Sequence, residues 1–169
     1  MLVTASLVIG SDGSSTFHGN SEGVTSALDR QRFLARRRLS NVILIGGNTA
    51  RNEGYKKTPV PVVVLSRSHP ELLNQNPKAH WWNIPPVAAI ARAKREFGPA
   101  ISVEAGAAVI SELLNHGLID NLELSVTGAT GGENRIGLQE LLRHFRQVVE
   151  EEVDGTHFYS CKEPVTSQI

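Results

Sequence analysis

The sequence predicts an α/β fold with a central, largely parallel β-sheet, helices on both faces and an antiparallel hairpin at one edge. Short, continuous apolar runs at residues 41–45, 62–65 and 100–103 are typical of strands that are buried on both faces. Stretches with helical periodicity separate these runs, and such an alternation of strands and helices indicates a parallel sheet. Alternating residues around an Asp-Gly pair near the C-terminus indicate the hairpin.

The N-terminal half begins with a strand that is rich in β-branched and apolar residues and ends at a Ser-Asp-Gly-Ser turn. Ser26 can cap the next helix, with Asp29 three residues later as in a short capping box. The run Arg36-Arg37-Arg38 is interpreted as a solvated helix end, where cations complement the helix dipole. The predicted elements are a strand over 3–9, a helix over 27–39, a strand over 41–45, a short helix over 49–52, a strand over 62–65 and a short strand within 78–84.

In the C-terminal half, Gly98-Pro99 ends one helix and Gly117 ends the next. Leu122, Leu124 and Val126 alternate with polar residues and predict a strand. The predicted elements are a helix over 87–97, a strand over 100–103, a helix over 107–116, a strand over 121–127, a helical turn over 138–145, and hairpin strands over 147–153 and 157–162 joined at Asp154-Gly155.

Composition limits the functional classes. The length of 169 residues predicts a single domain over 1–169. Seventeen basic and 17 acidic residues balance, so no nucleic-acid partner is expected, because such proteins carry a basic excess. No apolar run approaches the roughly 20 residues that span a bilayer, so no membrane partner is expected. The chain start is interpreted as a strand rather than a signal peptide. The single cysteine, Cys161, favours the cytoplasm, and the six histidines lack the spacing of a metal site.

Three junctions just after strands are candidates for a nucleotide site, because ligands of α/β sheets bind beyond the carboxyl ends of the strands. At Gly46-Gly47-Asn48-Thr49, paired glycines and a helix start would admit a phosphate, although a plain tight turn explains the same residues. Ser66-Arg67 offers a hydroxyl and a guanidinium for a phosphate monoester such as the 2′-phosphate of NADPH. A solvated loop arginine is the alternative there.

The third junction is Glu104-Ala105-Gly106-Ala107-Ala108, where small residues would let a diphosphate approach the start of a helix. Simple packing of helix against strand is the alternative. Glu104 would face the same cleft. Asp12-Gly13, after the first strand, is a fourth candidate, and Asp-Gly is above all a turn signal.

Taken in order, these junctions resemble the reductase domain of the bifunctional riboflavin-biosynthesis deaminase-reductase family, which has the dihydrofolate reductase-like fold. The Leu-Ser-Arg strand ending is also similar to the adenosine 2′-phosphate site of dihydrofolate reductases. The matching segments are 7–13 (LVIGSDG), 24–30 (VTSALDR), 42–54 (VILIGGNTARNEG), 62–67 (VVVLSR), 102–114 (SVEAGAAVISELL) and 117–126 (GLIDNLELSV).

The resemblance implies a three-layer fold, an NADPH-dependent reductase and a homodimer. It implies that Asp12, Ser21, Arg37 and Glu104 bind the substrate. It also implies a set of residues on the cofactor side. Ile9 and Thr49 would contact the cofactor, Glu53 would be an acidic residue beside it, and Ser66 and Arg67 would bind the 2′-phosphate. The diphosphate would lie at the helix start, which comprises Gly106, Ala107, Ala108 and Val109, beside Gly46 and Gly47.

Three positions depart from the family pattern. Ser14 follows Asp-Gly where a lysine is frequent, and Ala105 stands where the family has glycine. An alanine restricts the backbone if that position needs a positive φ. Residues 52–58 lack the arginine expected for a substrate phosphate, a place that Lys56 or Lys57 would have to fill. The zinc-binding deaminase domain is also missing.

The expected chemistry is hydride transfer from NADPH to a C=N or C=O carbon of a small heterocyclic, pyrimidine-type substrate, similar to that of 5-amino-6-(5-phosphoribosylamino)uracil reductase. Glu104 is the expected substrate anchor, and Asp12 is the expected proton relay or polariser. One alternative is a catalytically silent nucleotide-binding module on the same fold. Another is a dihydrofolate reductase proper. Against the latter, residues 24–39 show no acidic residue in an apolar helical setting, since Asp29 stands among Arg and Gln.

Overall fold

One eight-stranded sheet organises the chain in a computed structural model that describes residues 2–165. The strands are β1 (Leu2–Gly10), β2 (Val42–Gly46), β3 (Val62–Leu65), β4 (Ala79–Trp82), β5 (Ala100–Val103), β6 (Asn121–Thr127), β7 (Phe145–Val153) and β8 (Thr156–Pro164). The helices are α1 (Ala27–Arg37), α2 (Gly47–Asn52), α3 (Leu72–Gln75), α4 (Pro86–Glu96), α5 (Ala107–Asn115) and α6 (Leu138–Leu142).

The sheet has the strand order β4-β3-β2-β5-β1-β6-β8-β7. All pairs among the first six strands are parallel, whereas β8 runs antiparallel to β6, and β7 runs antiparallel to β8. The predicted α/β fold, with a mostly parallel sheet and an antiparallel C-terminal hairpin, is confirmed. Because six parallel strands share one direction, their carboxyl ends meet at one edge of the sheet, and polar loops converge there.

Two apolar cores cover the two faces of the sheet, as the period of two along a strand requires. On β2, Val42 and Leu44 belong to the larger core, which includes residues of α4 and α5. Ile43 and Ile45 belong to the smaller core, with Tyr55 and Leu72. This alternation explains why residues 42–46 are fully buried and read as one continuous apolar run.

Helix α1 begins where the sequence predicts it and ends earlier. The Ser26 hydroxyl oxygen accepts a hydrogen bond from the backbone N–H of Asp29 at 3.2 Å, which is the expected cap. The helix ends at Arg37 rather than at residue 39. The backbone N–H of Leu39 bonds the carbonyl of Arg36 instead, in a tight closing turn, and Leu39 is 81% exposed. Leu39 therefore contributes nothing to the core that would extend the helix.

Two further differences lie in short elements. Helix α2 begins at Gly47, two residues before its predicted start, and α3 occupies a stretch in which no helix was predicted. α3 is only one turn long, so it shows no helical periodicity. The hairpin turn lies where the sequence predicts it: Asp154 and Gly155 have φ values of 50° and 79°, the signs of a type I′ turn.

Candidate active site

A cleft of about 770 Å³ opens at the carboxyl ends of β1, β2 and β5. Its walls come from the loop after β1, the inward face of α1, the start of α2 and the junction after β5. Eight of the predicted site residues line it: Ser21, Arg37, Thr49, Glu53, Glu104, Gly106, Ala107 and Ala108. Seven others lie outside its lining: Ile9, Asp12, Gly46, Gly47, Ser66, Arg67 and Val109.

Glu104 lies at the floor of the cleft, and its carboxylate receives four hydrogen bonds. Arg37 donates from Nη2 to Oε2 at 2.5 Å and from Nε to Oε1 at 3.3 Å. The Tyr55 hydroxyl donates to Oε2 at 2.7 Å, and the Ser102 hydroxyl donates to Oε1 at 3.1 Å. A carboxylate has about four lone-pair positions, so these donors fill its capacity. Glu104 consequently acts on a ligand through the groups that it holds.

Arg37 is buried, and this corrects the interpretation of the arginine run as a solvated helix end. Its side chain is 7% exposed and lies 4.6 Å from the Phe33 ring centre and 5.0 Å from that of Tyr55. Burial alone would lower the pKa of Arg37, but the bonds to Glu104 outweigh it and the pKa is raised. Arg36 is half-buried, and its Nε donates to the Ser6 hydroxyl at 3.3 Å.

Tyr55 is a residue of this site that sequence reasoning missed. It is 5% exposed and its pKa is raised well above 10, first by burial and then by the charge of Glu104. The neutral hydroxyl is therefore the form that donates to Glu104. Asn76 holds the tyrosine from behind by donating from Nδ2 to the Tyr55 carbonyl at 2.8 Å. In the sequence, Tyr55 looks like one residue of a polar loop, and no signal marks it.

Asp29 is the second residue that was missed, and the argument that α1 lacks a buried acid is wrong. It is 6% exposed and lines the cleft. The hydroxyls of Thr25 and Ser125 each donate to one of its carboxylate oxygens at 2.5 Å. A usable signal exists, because Asp29, Phe33 and Arg37 follow the spacing of one helix face. The inward face of α1 is polar because it lines a cleft.

Asp12 shapes a loop next to the cleft. Its Oδ1 accepts from the hydroxyl of Ser14 at 2.6 Å and from the Ser14 N–H at 3.0 Å, and its Oδ2 accepts from the N–H of Gly131 at 2.8 Å. These hydrogen bonds, with Arg135 at 3.3 Å, lower its pKa to about 2. Gly13 has φ +85°, and a Cβ there would lie 2.5 Å from the Ile136 carbonyl oxygen. The turn alternative describes Asp12-Gly13 in the structure.

The three junctions lie side by side at the edge of the cleft. A Cβ built on Gly46 would lie 3.8 Å from Val109 Cγ2, and one built on Gly47 would lie 3.0 Å from Ser66 Cβ. Residues of β2, β3 and α5 that are far apart in sequence are therefore neighbours. The Ser66 hydroxyl donates to the Ser68 carbonyl at 2.6 Å, and Arg67 is exposed.

The remaining predicted residues have distinct surroundings. The Glu53 carboxylate accepts from the N–H of Ser21 at 2.6 Å, so it ties the loop after β1 to the end of α2. Ile9 is 1% exposed and its side chain belongs to the core, which leaves only its backbone for a ligand. Ala105 has no positive φ, so alanine fits in place of the glycine of the family pattern. Lys56 and Lys57 are exposed and lie outside the cleft lining.

Residues 2–165 contain neither a metal-binding cluster nor a membrane-spanning helix. No cluster of three or more His, Cys, Asp or Glu side chains is arranged to hold a metal ion. No helix in this range combines the length and the apolar character that crossing a membrane requires.

Comparison with known proteins identifies the family. No curated protein matches the sequence. The sequence profile of the RibD C-terminal domain matches residues 2–154. A Thermotoga maritima diaminohydroxyphosphoribosylaminopyrimidine deaminase/5-amino-6-(5-phosphoribosylamino)uracil reductase is similar over 97% of this chain with a TM-score of 0.69 and 17% identity. The chain covers 56% of that protein, so it spans little more than half of its length.

Two other solved structures are covered almost completely. A pyrimidine reductase-like protein from Corynebacterium diphtheriae matches 98% of this chain and 92% of its own, with a TM-score of 0.69 and 16% identity. A dihydrofolate reductase from Enterococcus faecalis, complexed with NADP(H) and RAB-propyl, matches 95% of this chain and 96% of its own, with a TM-score of 0.69 and 14% identity. These structures show the dihydrofolate reductase-like fold. With the profile match over residues 2–154, they show that the chain belongs to the RibD C-terminal domain family.

Proposed function

We propose that this protein is an NADPH-dependent reductase that transfers a hydride to a C=N or C=O carbon of a small, pyrimidine-type heterocycle. The observation that carries the proposal is the convergence of three glycine- or serine-containing junctions beside a cleft that holds the Arg37–Glu104 pair. Family membership supports a reductase, and two neighbours are named for reduction of a pyrimidine or for an NADP(H) complex.

The cofactor side of the site suits a dinucleotide phosphate. The start of α5 offers the N–H groups of Gly106, Ala107 and Ala108, and a Cβ on Gly106 would meet nothing within 4 Å. Small side chains there leave room for a diphosphate, which the positive end of the helix stabilises. Ser66 and the exposed Arg67 would bind the 2′-phosphate. When bound, NADPH supplies the hydride, while the protein orients the two reactants.

The substrate side combines the guanidinium of Arg37 with the carboxylate of Asp29, which accepts hydrogen bonds from two neutral hydroxyls. Glu104 is a positioning residue, because it holds Arg37 through Nε and Nη2. Among residues 2–165 no hydrogen bond uses Nη1 of Arg37, which we assign to a substrate oxygen. No Lys or Arg nitrogen of these residues lies within 4 Å of Asp29. We assign to Asp29 the proton relay that the sequence assigned to Asp12, because Asp29 lines the cleft, whereas Asp12 lies outside the cleft lining and shapes a loop.

The first test is the thermal unfolding midpoint with NADPH, with NADH and without ligand. Ligand at about 100 times its dissociation constant adds about 2.7 kcal/mol, which raises the midpoint by several degrees for a chain of this size. We expect a larger shift with NADPH than with NADH. Equal shifts would contradict the role of Ser66 and Arg67, and no shift with either would remove the reductase proposal.

Asp29 also favours a second candidate, a dihydrofolate reductase, since a buried carboxylate at the cleft can bind the N–H groups of a pterin. Oxidation of NADPH that depends on dihydrofolate would establish it. The departures at Ser14 and residues 52–58 keep the silent nucleotide-binding module as an alternative. Binding of NADPH without oxidation, for pyrimidine and pterin acceptors alike, would favour that module.

A further inference from the structure

A second cavity, of about 290 Å³, lies between α1, β6 and β8. Its walls include Ala35 and Arg36 of α1, Glu123 and Ser125 of β6, and Phe158 of β8. Of these five residues, Arg36 alone also lines the cleft. The second cavity therefore approaches α1 from a direction other than the mouth of the cleft.

One hydrogen bond connects the two spaces. The Ser125 hydroxyl donates to Oδ1 of Asp29 at 2.5 Å. Ser125 lines the second cavity and not the cleft, whereas Asp29 lines the cleft and not the second cavity. Both residues are buried, with 2% and 6% of their surface exposed. Alternate residues of a strand share a face, so Glu123 and Ser125 face α1, while Leu124 belongs to the core on the other face of the sheet.

The second cavity has the polar walls and the room that water requires. The Glu123 carboxylate accepts a hydrogen bond from the Ser160 hydroxyl at 3.0 Å. Arg32 forms the outer rim, where it binds Glu151 at 2.9 Å, and the side chains of this pair are 34% and 59% exposed. A polar space of this size holds several water molecules, because each needs little volume and two to four polar partners. Water from the solvent can thus reach the neighbourhood of the Ser125 hydroxyl.

We propose that Ser125 carries protons from water in the second cavity to Asp29. The inference rests on the proposed function, in which Asp29 relays the proton of the reaction. Reduction of a C=N or C=O group adds a hydride to carbon and a proton to nitrogen or oxygen, so the relay must be protonated again in every turnover. Ligands that fill the cleft exclude water from it during the reaction. The second cavity then supplies a path that the ligands do not block.

The proton moves in two transfers. A hydronium ion in the second cavity gives a proton to Ser125 Oγ while the original O–H bond of Ser125 breaks and its hydrogen moves to Oδ1 of Asp29. The hydronium ion becomes water, Ser125 remains a neutral hydroxyl, and the carboxylate becomes a carboxylic acid. Asp29 then gives its proton to the nitrogen or oxygen of the group that has received the hydride, and it returns to the carboxylate. Ser125 is a positioning residue, because it acts through Asp29 and does not line the cleft.

Substitutions at Ser125 test the relay in turnover with NADPH and either 5-amino-6-(5-phosphoribosylamino)uracil or dihydrofolate as the acceptor. Ser125→Ala should lower kcat about tenfold or more and leave KM for the acceptor within about twofold. Because proton delivery then limits the rate, the solvent deuterium isotope effect on kcat should increase. Ser125→Thr keeps a hydroxyl and should retain most of the rate. Ser160→Ala is the matched control, since it removes a hydroxyl donor from Glu123 instead of Asp29.

Ala35→Trp tests the second cavity separately. Ala35 is exposed and lines the second cavity but not the cleft, so an indole there should block the cavity and leave the bond between Ser125 and Asp29 in place. We expect kcat to fall and the solvent isotope effect to increase, as in Ser125→Ala. Ala88→Trp at an exposed position of α4 is the control for an added indole. Circular dichroism and the unfolding midpoint establish that each variant is folded.

Water in the second cavity can be measured without turnover. A high-resolution crystal structure of the wild-type chain should show ordered water within hydrogen-bonding distance of Ser125 Oγ, and that of Ala35→Trp should not. A dry cavity in the wild type would overturn the inference, and so would an active wild type whose kinetics S125A and A35W leave unchanged. A wild type that oxidises NADPH with neither acceptor would overturn the reductase proposal and this inference together, so the two failures are distinguishable.

Discussion

Tyr55 and Tyr159 are the two tyrosines of the chain, and each donates its hydroxyl hydrogen to a glutamate. Tyr55 is buried beside Glu104, whereas Tyr159 bonds the exposed Glu150 at 3.0 Å. Tyr55→Phe should lower the free energy of unfolding by about 1.5–3 kcal/mol, because it removes a hydrogen bond to a buried charge. Tyr159→Phe should lower the free energy of unfolding by less than about 0.5 kcal/mol. Denaturant unfolding of both variants measures the difference. Equal losses of stability would show that the buried hydrogen bond of Tyr55 stabilises the protein no more than the exposed one of Tyr159.

Asp29 carries the prediction for the chemical step. Asp29→Asn keeps the shape of the side chain and removes its ionisable proton. If Asp29 relays the proton, turnover should fall about 10² to 10⁴-fold. Asp154→Asn in the hairpin turn is the control, since asparagine also accepts a positive φ there. Turnover of Asp29→Asn that matches wild type would refute the assignment.

Arg67 carries the prediction for cofactor choice. Arg67→Ala should weaken the binding of NADPH about ten- to a hundred-fold and leave the binding of NADH nearly unchanged, since one charge-assisted hydrogen bond is worth about 1.5–3 kcal/mol. Titration with each dinucleotide measures this, with Arg95→Ala on α4 as the control. A parallel loss for both dinucleotides would mean that Arg67 does not recognise the 2′-phosphate.

At the scale of elements, the loop after β1 and the loop after β6 are joined through Asp12. The folded-state pKa of Asp12, about 2, lies below its ordinary value of 3.8. A carboxyl whose pKa is lowered by folding stabilises the protein above its unfolded pKa. This contribution is lost as the pH falls from about 4 through about 2. Asp12→Asn should therefore reduce stability near neutral pH and have little further effect near pH 2.

Unfolding of wild type and of Asp12→Asn as a function of pH measures this contribution. The difference between the two should shrink as the pH falls toward 2, and a difference that is independent of pH would contradict the assignment. Exposure of the carboxylate keeps the effect modest, because solvent screens its charge.

Most elements could be predicted from local patterns. The strands Val62–Leu65, Ala100–Val103 and Asn121–Thr127 have the predicted bounds. Helix α3 could not be predicted, because one turn has no period and its position depends on tertiary contacts of Leu72 and Asn76. The residues of the site were harder to predict, because they also depend on tertiary contacts. Arg37 and Glu104 are 67 residues apart, so neither position indicates that the other neutralises it.

For the whole molecule, the sheet class was predictable, but the order of its strands was not. Apolar runs and intervening helices indicate a parallel sheet, yet nothing in the sequence of β1 marks it as central. Small and polar residues just after the strands indicated the junctions at the cleft edge, and the resemblance to a family connected them to one cofactor. The contacts in the structure then distinguish the roles of the acidic residues. Glu53 holds a loop, Asp12 shapes a turn, and Glu104 holds Arg37.

The place of β1 in the sheet also has a consequence for synthesis. β1 is made first and lies between β5 and β6, which are made about a hundred residues later. On the ribosome, this strand has no neighbour to pair with until β5 has emerged, and its other edge stays unpaired until residue 127 has emerged. The parallel sheet therefore closes after most of the chain has been translated. A nascent chain that stalls before β6 would expose the apolar edge of β1 to chaperones and to other nascent chains.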